Sequence, residues 1–278
     1  MNFFKLSLVT VSLLLVGCGS SDSKSSSPDD TKVATVADAQ KNFKALSAFS
    51  GIGGSIGKST NLNNFQKRKM LTKLQKGEKQ SCLNGGTLSF SLSEDEKTTE
   101  ISFDNCKMDG ASYDGDMIIT NINDTDSKIE MLKYTYSDRE GSGYMDIVME
   151  TQTSNNISTM SMNGVIKQKS SSGEINNMSV KNMKFVEKDT SAESWSTMDG
   201  SMSIESKCFT GSYTFQTIEK LVDAKDGSDN LKSGILKLNG ATYTFNNPDV
   251  TIKVGSSTET ILQSELEKRF ETETVCDE

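Results

Sequence analysis

The side chains that could do chemistry are unevenly supplied in this chain: 5 Cys, 38 Asp plus Glu, 30 Lys plus Arg, and no His at all. Without an imidazole, Ser-His and Cys-His nucleophile pairs, HExxH zinc sites and histidine general bases are excluded. Zinc on cysteine alone is disfavoured too, because no CxxC spacing occurs. Carboxylate-only catalysis survives in principle, since a glycosidase needs just two acids at the right separation. Most of the acids, however, sit in clusters with the composition of turns: Asp109-Gly110, Asp114-Gly115-Asp116, Asn123-Asp124-Thr125-Asp126 and Asp226-Gly227-Ser228-Asp229. There, bonding of the side chain to nearby backbone explains them. None has the DxDxDG spacing of an EF-hand loop, and a single Trp is poor equipment for stacking sugars. We therefore expect no catalytic residues, no metal and no cofactor.

The remaining chemistry belongs to cysteine. Lys5, the 11-residue apolar stretch Leu6 to Val16 and the small residue Gly17 have the order of a secretory signal. The stretch is too short to span a bilayer, which takes ~20 apolar residues. Its ending, Leu15-Val16-Gly17-Cys18, resembles the bacterial lipobox: an aliphatic residue, a small or aliphatic one, Gly or Ala, then Cys. The resemblance is confined to this N-terminal signal. It implies cleavage before Cys18, a diacylglyceryl group on the Cys18 sulfur and an acyl chain such as palmitate on the new amino group. Two or more chains anchor a protein stably to a membrane, where one does so marginally. Gly19, rather than Asp, follows the lipidated position, which in the enterobacterial sorting rule implies the outer membrane. Which face of that membrane the protein occupies stays open.

From Gly19 to Asp30 the chain has no apolar side chain other than Pro28, so the composition is that of a tether that cannot bury enough surface to offset its entropy. Removing 17 of the 278 residues leaves 261 and, with Lys5 gone, moves the formal net charge from −8 to −9. That balance argues against nucleic acid and against adhesion to anionic lipid by charge. The one concentrated basic stretch, Lys67, Arg68, Lys69, Lys73, Lys76 and Lys79, has the spacing of the wet face of a helix that shows Phe65, Met70, Leu71 and Leu74 to the core, with a docking patch as the alternative.

Four cysteines remain: Cys82, Cys106, Cys208 and Cys276. An even number in an exported chain implies disulfides, with three connectivities open. One is favoured: the midpoint of Cys82 and Cys106 falls in Ser93-Glu94-Asp95-Glu96, between the alternating runs Leu88, Phe90, Leu92 and Ile101, Phe103. A hairpin turning there brings both cysteines together, given a one-residue offset, because strict alternation puts them on opposite faces. Cys208 is then left with Cys276.

The elements that must position these residues are of two kinds. Thr35 to Ser50 shows helical steps at Val36, Ala39, Phe43, Leu46 and Phe49, with Thr35 and Asp38 resembling a capping box. A weaker helix covers 62–76. Beyond Cys82 the period changes to two, in short runs rich in Ile, Val, Thr, Tyr and Phe broken by Gly, Asn, Asp and Ser. Glycines at 86, 115, 143, 173, 200, 227 and 255 recur every 27 to 30 residues, and three are followed by the pattern G-x-M-x-I: Gly115 to Ile119, Gly143 to Ile147 and Gly200 to Ile204, with Gly86 to Phe90 a looser copy. Each glycine is expected to open a strand whose next apolar pair faces inward. Such a unit holds either two strands of ~10 residues with their turns or one coil of a β-solenoid, and the turn-centred cysteine pair favours hairpins.

The fold class expected is mainly β, an antiparallel up-and-down meander of about 10 to 13 strands, curved or barrel-like. Its cover would be one or two N-terminal helices and a C-terminal helix over Thr258 to Phe270. In sequence order this gives a signal peptide over 1–17, a tether over 18–32, a helical segment packing on the sheet over 33–80 and a β domain over 81–278. Eleven of the 13 Met lie between Met108 and Met202, as a core padded with methionine would have them. A sharper alternative makes Met117, Met145 and Met202 a soft ligand groove, for a sheet with a helical lid is similar to bacterial periplasmic lipoprotein carriers, which shelter acyl chains. The function expected is a lipid-anchored outer-membrane protein that binds or builds without catalysis. An acyl-chain carrier and a carboxylate-dependent hydrolase are the alternatives. The membrane is the expected partner, nucleic acid is not, and a protein, glycan or lipid ligand is left open.

Overall fold

The computed structural model describes residues 33–40, 42–43, 79–108, 110–123, 125–139, 141–173, 175–206, 210–226 and 230–266. Cys18 with the tether, the expected helix over 62–76, the basic stretch apart from Lys79, and both Cys208 and Cys276 lie outside those residues.

Fourteen strands follow one another: β1 (Lys79–Ser81), β2 (Thr87–Leu92), β3 (Thr98–Met108), β4 (Ala111–Asn121), β5 (Ser127–Ser137), β6 (Gly141–Ser154), β7 (Ile157–Ser170), β8 (Ile175–Asp189), β9 (Ser194–Glu205), β10 (Thr210–Asp223), β11 (Leu231–Leu238), β12 (Ala241–Asn246), β13 (Asp249–Val254) and β14 (Ser257–Leu262). Their order in the sheet is their order in the chain, from β1 to β14. The links are far too short for the crossovers that parallel neighbours require, so this is an antiparallel up-and-down meander.

The strand count exceeds the expected range partly because Thr258 to Leu262 is strand and not helix. Ile261 is buried and Leu262 is 42% exposed, an alternation that fits a strand. Pairing of Val250 with Ile261 and of Thr251 with Thr260 outweighs a helical spacing in a stretch rich in Thr. Among the described residues of the expected helix, 263–266 are helical, and 267–270 lie outside them. The N-terminal helix is helical at 36–40 and 42–43. Its start is the expected box: the Thr35 N–H donates to Asp38 Oδ2 at 2.9 Å and the Asp38 N–H to Thr35 Oγ1 at 3.2 Å.

The chain divides into two compact units, one of residues 61–182 with 204–207, the other of 1–60, 183–203 and 208–278. In the first, directly paired residues form apolar rows across the strands on one face. One row runs Phe90, Ile101, Met117, Met131, Ile147, and the next Leu92, Thr99, Ile119, Ile129, Met149, Met162. Paired positions share a face, so each row is a continuous strip of apolar contact.

Bulges keep that face apolar along strands of 11 to 15 residues. In β3, Phe103 pairs with Gly115 but Cys106 with Tyr113, so one extra residue is inserted, and Asp104 and Asn105 are exposed between buried Phe103 and Cys106. β5 does the same between Met131 and Tyr134, and β8 shows the same burial pattern between Val180 and Met183. The residue before each returning side chain, Asn105, Lys133 or Asn182, has φ near +50°, a backbone shape Asn tolerates better than most.

In the second unit the registers of β11 to β14 are unbroken, giving the rows Leu236, Tyr243, Ile252 and Gly234, Phe245, Val250, Ile261. The N-terminal helix seats on these. Ala39 is fully buried, the Tyr243 hydroxyl donates to the Ala39 carbonyl at 2.5 Å, and the Phe43 ring lies 5.1 Å from Tyr243 and 6.4 Å from Phe245.

All three G-x-M-x-I copies point their apolar pair inward: Met117 and Ile119, Met145 and Ile147, Met202 and Ile204 are buried. Strand opening by the glycine holds for Gly86 alone among these four copies. Gly115 and Gly200 lie within β4 and β9, and Gly143 is the third residue of β6. Strands lengthen from 11 residues in β3 to 15 in β8, so a fixed glycine period slips along them. For the same reason Asp114-Gly115-Asp116 is strand interior and not a turn. The cluster around Asn123 is a turn as expected, its Oδ1 accepting the N–H groups of Thr125 and Asp126, each at 2.9 Å.

Candidate functional site

Of the residues with potential chemistry, the structure brings Cys82 and Cys106 together as a disulfide, with Cα atoms 5.4 Å apart across a sequence separation of 24. The β2–β3 hairpin turns at 93–97, with Leu92 opposite Thr99. The offset that alternation demanded comes from the β3 bulge at Asn105, which returns Cys106 to the buried face. Cys82 leaves β1 into a tight turn closed by its N–H on the Gly86 carbonyl at 3.0 Å. That turn is laced to β3 by Asn84 N–H to Lys107 O at 2.9 Å and Lys107 N–H to Gly85 O at 2.8 Å. Backbone crowding here admits only glycine at 86, where a Cβ would stand 1.9 Å from the Asn105 carbonyl oxygen. Asp114 completes the bulge by accepting the Asn105 N–H on Oδ1 at 3.1 Å.

Beside the disulfide, Phe103, Tyr113 and Tyr134 form an aromatic cluster with centroids 5.7 to 6.4 Å apart. Burial holds the Tyr134 hydroxyl far above the ordinary tyrosine range, so this phenol is neutral at ordinary pH.

Met117, Met145 and Met202 are 4%, 0% and 3% exposed. Met117 lies in a row between Ile101 and Met131, and Met145 between Tyr134 and Ile166; Met202 belongs to the other unit. The surroundings of Met117 and Met145 are those of packed core residues, for which unbranched, adaptable methionine suits irregular space next to bulges.

Sequence reasoning missed several polar arrangements. On β9 the Ser194 hydroxyl donates to the Asp223 carboxylate, and Ser196, 6% exposed, has a hydroxyl with no hydrogen-bond partner among the described residues. Lys220 Nζ lies 3.6 Å from the centroid of Trp195, so one face of the single Trp is taken by a cation. Glu193 is held below the usual glutamate range, first by its hydrogen bond from Lys188. Glu187 is held above it, by burial first and by the nearby Asp189 second. Asp189, however, lies 3.8 Å from the Lys225 ammonium, an ordinary surface pairing. Asp114, Asn163 and Asp199, each followed by Gly within a strand, accept a backbone N–H from the neighbouring strand, at 3.1, 2.6 and 3.1 Å.

Among the described residues, no group of three or more Cys, Asp or Glu could hold a metal ion, and no helix is long and apolar enough to cross a membrane. No family model and no curated protein matches the chain.

Proposed function

We propose that this chain is a bacterial outer-membrane lipoprotein, anchored through lipidated Cys18, whose β meander is a non-enzymatic binding or structural component of the envelope. The observation that carries the reading is the Cys82–Cys106 disulfide. Disulfides persist in oxidising compartments and are rare in the cytosol, so the cross-link and the lipobox Leu15-Val16-Gly17-Cys18 independently favour export. The mature composition, with no histidine and an acidic balance, suits a scaffold better than a catalyst. The extensive apolar rows supply a rigid sheet whose other face is free to make contacts.

The anchor is tested by Cys18→Ser in the producing cell, with fractionation and metabolic labelling by a palmitate analogue. The wild type is expected in the outer-membrane fraction and labelled. The variant is expected unlabelled, released from membranes and accumulating as precursor. A variant that still fractionates with membranes and shows no precursor refutes the lipoprotein reading.

A further inference from the structure

We infer that the solvent face of β4 to β7 is a docking surface for a basic amphipathic helix of a partner protein, a proposal that goes beyond the lipoprotein reading and does not depend on it. On this face the strand registers interleave two kinds of side chain. Ile118, Leu132, Val148 and Val165 form a zigzag across the four strands, and Asp116, Glu130 and Asp146 occupy the alternate squares. All seven are exposed or half-buried, Leu132 at 36%. Glu100 and Glu150 flank the pattern. Lys128 pairs with Glu130 at 3.0 Å, and Lys133 and Lys167 stand at its margin, the latter over the Tyr144 ring.

The outward face of an antiparallel sheet is normally polar, and the opposite face of these strands already supplies their core. An aliphatic line perpendicular to the strands is therefore surplus to folding. Its period selects the occupant. Strands are ~4.8 Å apart and a helical turn rises ~5.4 Å, so a helix laid across them presents about one apolar side chain per strand at i, i+3 or i+4, and i+7. Carboxylates interleaved at the same pitch require Lys or Arg on the flanks of that helix and repel an acidic one.

Calorimetric titration of the purified full-length protein with a short synthetic Leu/Lys amphipathic helix tests this, beside the same helix carrying Glu for Lys or Ser for Leu. The Leu/Lys helix is expected to bind with salt-sensitive affinity, and the two controls are not. Combining Asp116→Asn, Glu130→Gln and Asp146→Asn should weaken binding about tenfold and flatten its salt dependence. Leu132→Ser should weaken it several-fold, with thermal unfolding unchanged for both variants. No binding, equal binding of the Glu helix, or unaltered affinity in both variants would overturn the proposal. So would tighter binding once Lys67, Arg68, Lys69 and Lys73 are changed to Gln, because the chain's own basic stretch would then be the occupant.

Discussion

A methyl group at Gly86 would meet the Asn105 carbonyl oxygen at 1.9 Å, whereas one at Gly173, in the turn before β8, would meet nothing within 4 Å. Both have positive φ, so Gly→Ala strains the backbone at either place by about 1 kcal/mol. The collision adds to that at Gly86 alone. Gly86→Ala is expected to cost about 3 kcal/mol or more and Gly173→Ala about 1 kcal/mol, a contrast that urea titration of the two variants resolves. Glu187 makes a prediction about pH. Its pKa in the folded chain lies above the ordinary 4.5, so the folded state binds this proton more tightly than the unfolded one. The resulting stability is complete below the ordinary value and is lost as pH rises through the folded pKa. Glu187→Gln should therefore raise Tm at neutral pH, by only about 1–2 °C for a half-exposed group, and leave it unchanged near pH 3. Thermal scans at the two pH values check the sign.

The first hairpin and the N-terminal helix each have a fastening besides backbone pairing. β1 pairs with β2 over three residues, and the Cys82–Cys106 link closes a separation of 24. A double Cys→Ser variant is expected to lose about 3 kcal/mol, measured by denaturant unfolding, with hydrogen exchange fastest in β1 and in the turn at 82–86. The helix at 36–43 depends on Tyr243. Tyr243→Phe removes a buried hydrogen bond to the Ala39 carbonyl, for a cost of about 1 kcal/mol. Exchange protection should fall first at the Ala39 N–H, which bonds the Thr35 carbonyl. If protection there is unaltered while stability falls, the tyrosine supports the sheet and not the helix.

At the scale of the whole molecule, the cysteine pattern of an exported chain makes a further prediction. Alkylation of the purified mature protein under denaturing, non-reducing conditions should label none of Cys82, Cys106, Cys208 and Cys276, and reduction should expose all four. Labelling of Cys208 and Cys276 before reduction would leave Cys82–Cys106 as the single cross-link. Period-two alternation, turn residues and the G-x-M-x-I copies by themselves determined a β meander and its inward residues, because a side chain's face follows from parity along a strand. They also paired Cys82 with Cys106, because a hairpin's midpoint is local information. What only the tertiary structure decided is where parity breaks. The bulges at Asn105 and Lys133 insert one residue each, and nothing local announces them, since their role appears only against the adjacent strand. Asp114 read as a turn residue for the same reason: it serves the Asn105 N–H of a neighbouring strand, and its own segment gives no sign of that. Thr258 to Leu262 fits a helical spacing and a strand equally well, and pairing with β13 settled it. The chequered outer face of β4 to β7 is likewise invisible along any one strand, because it is written by the registers between them.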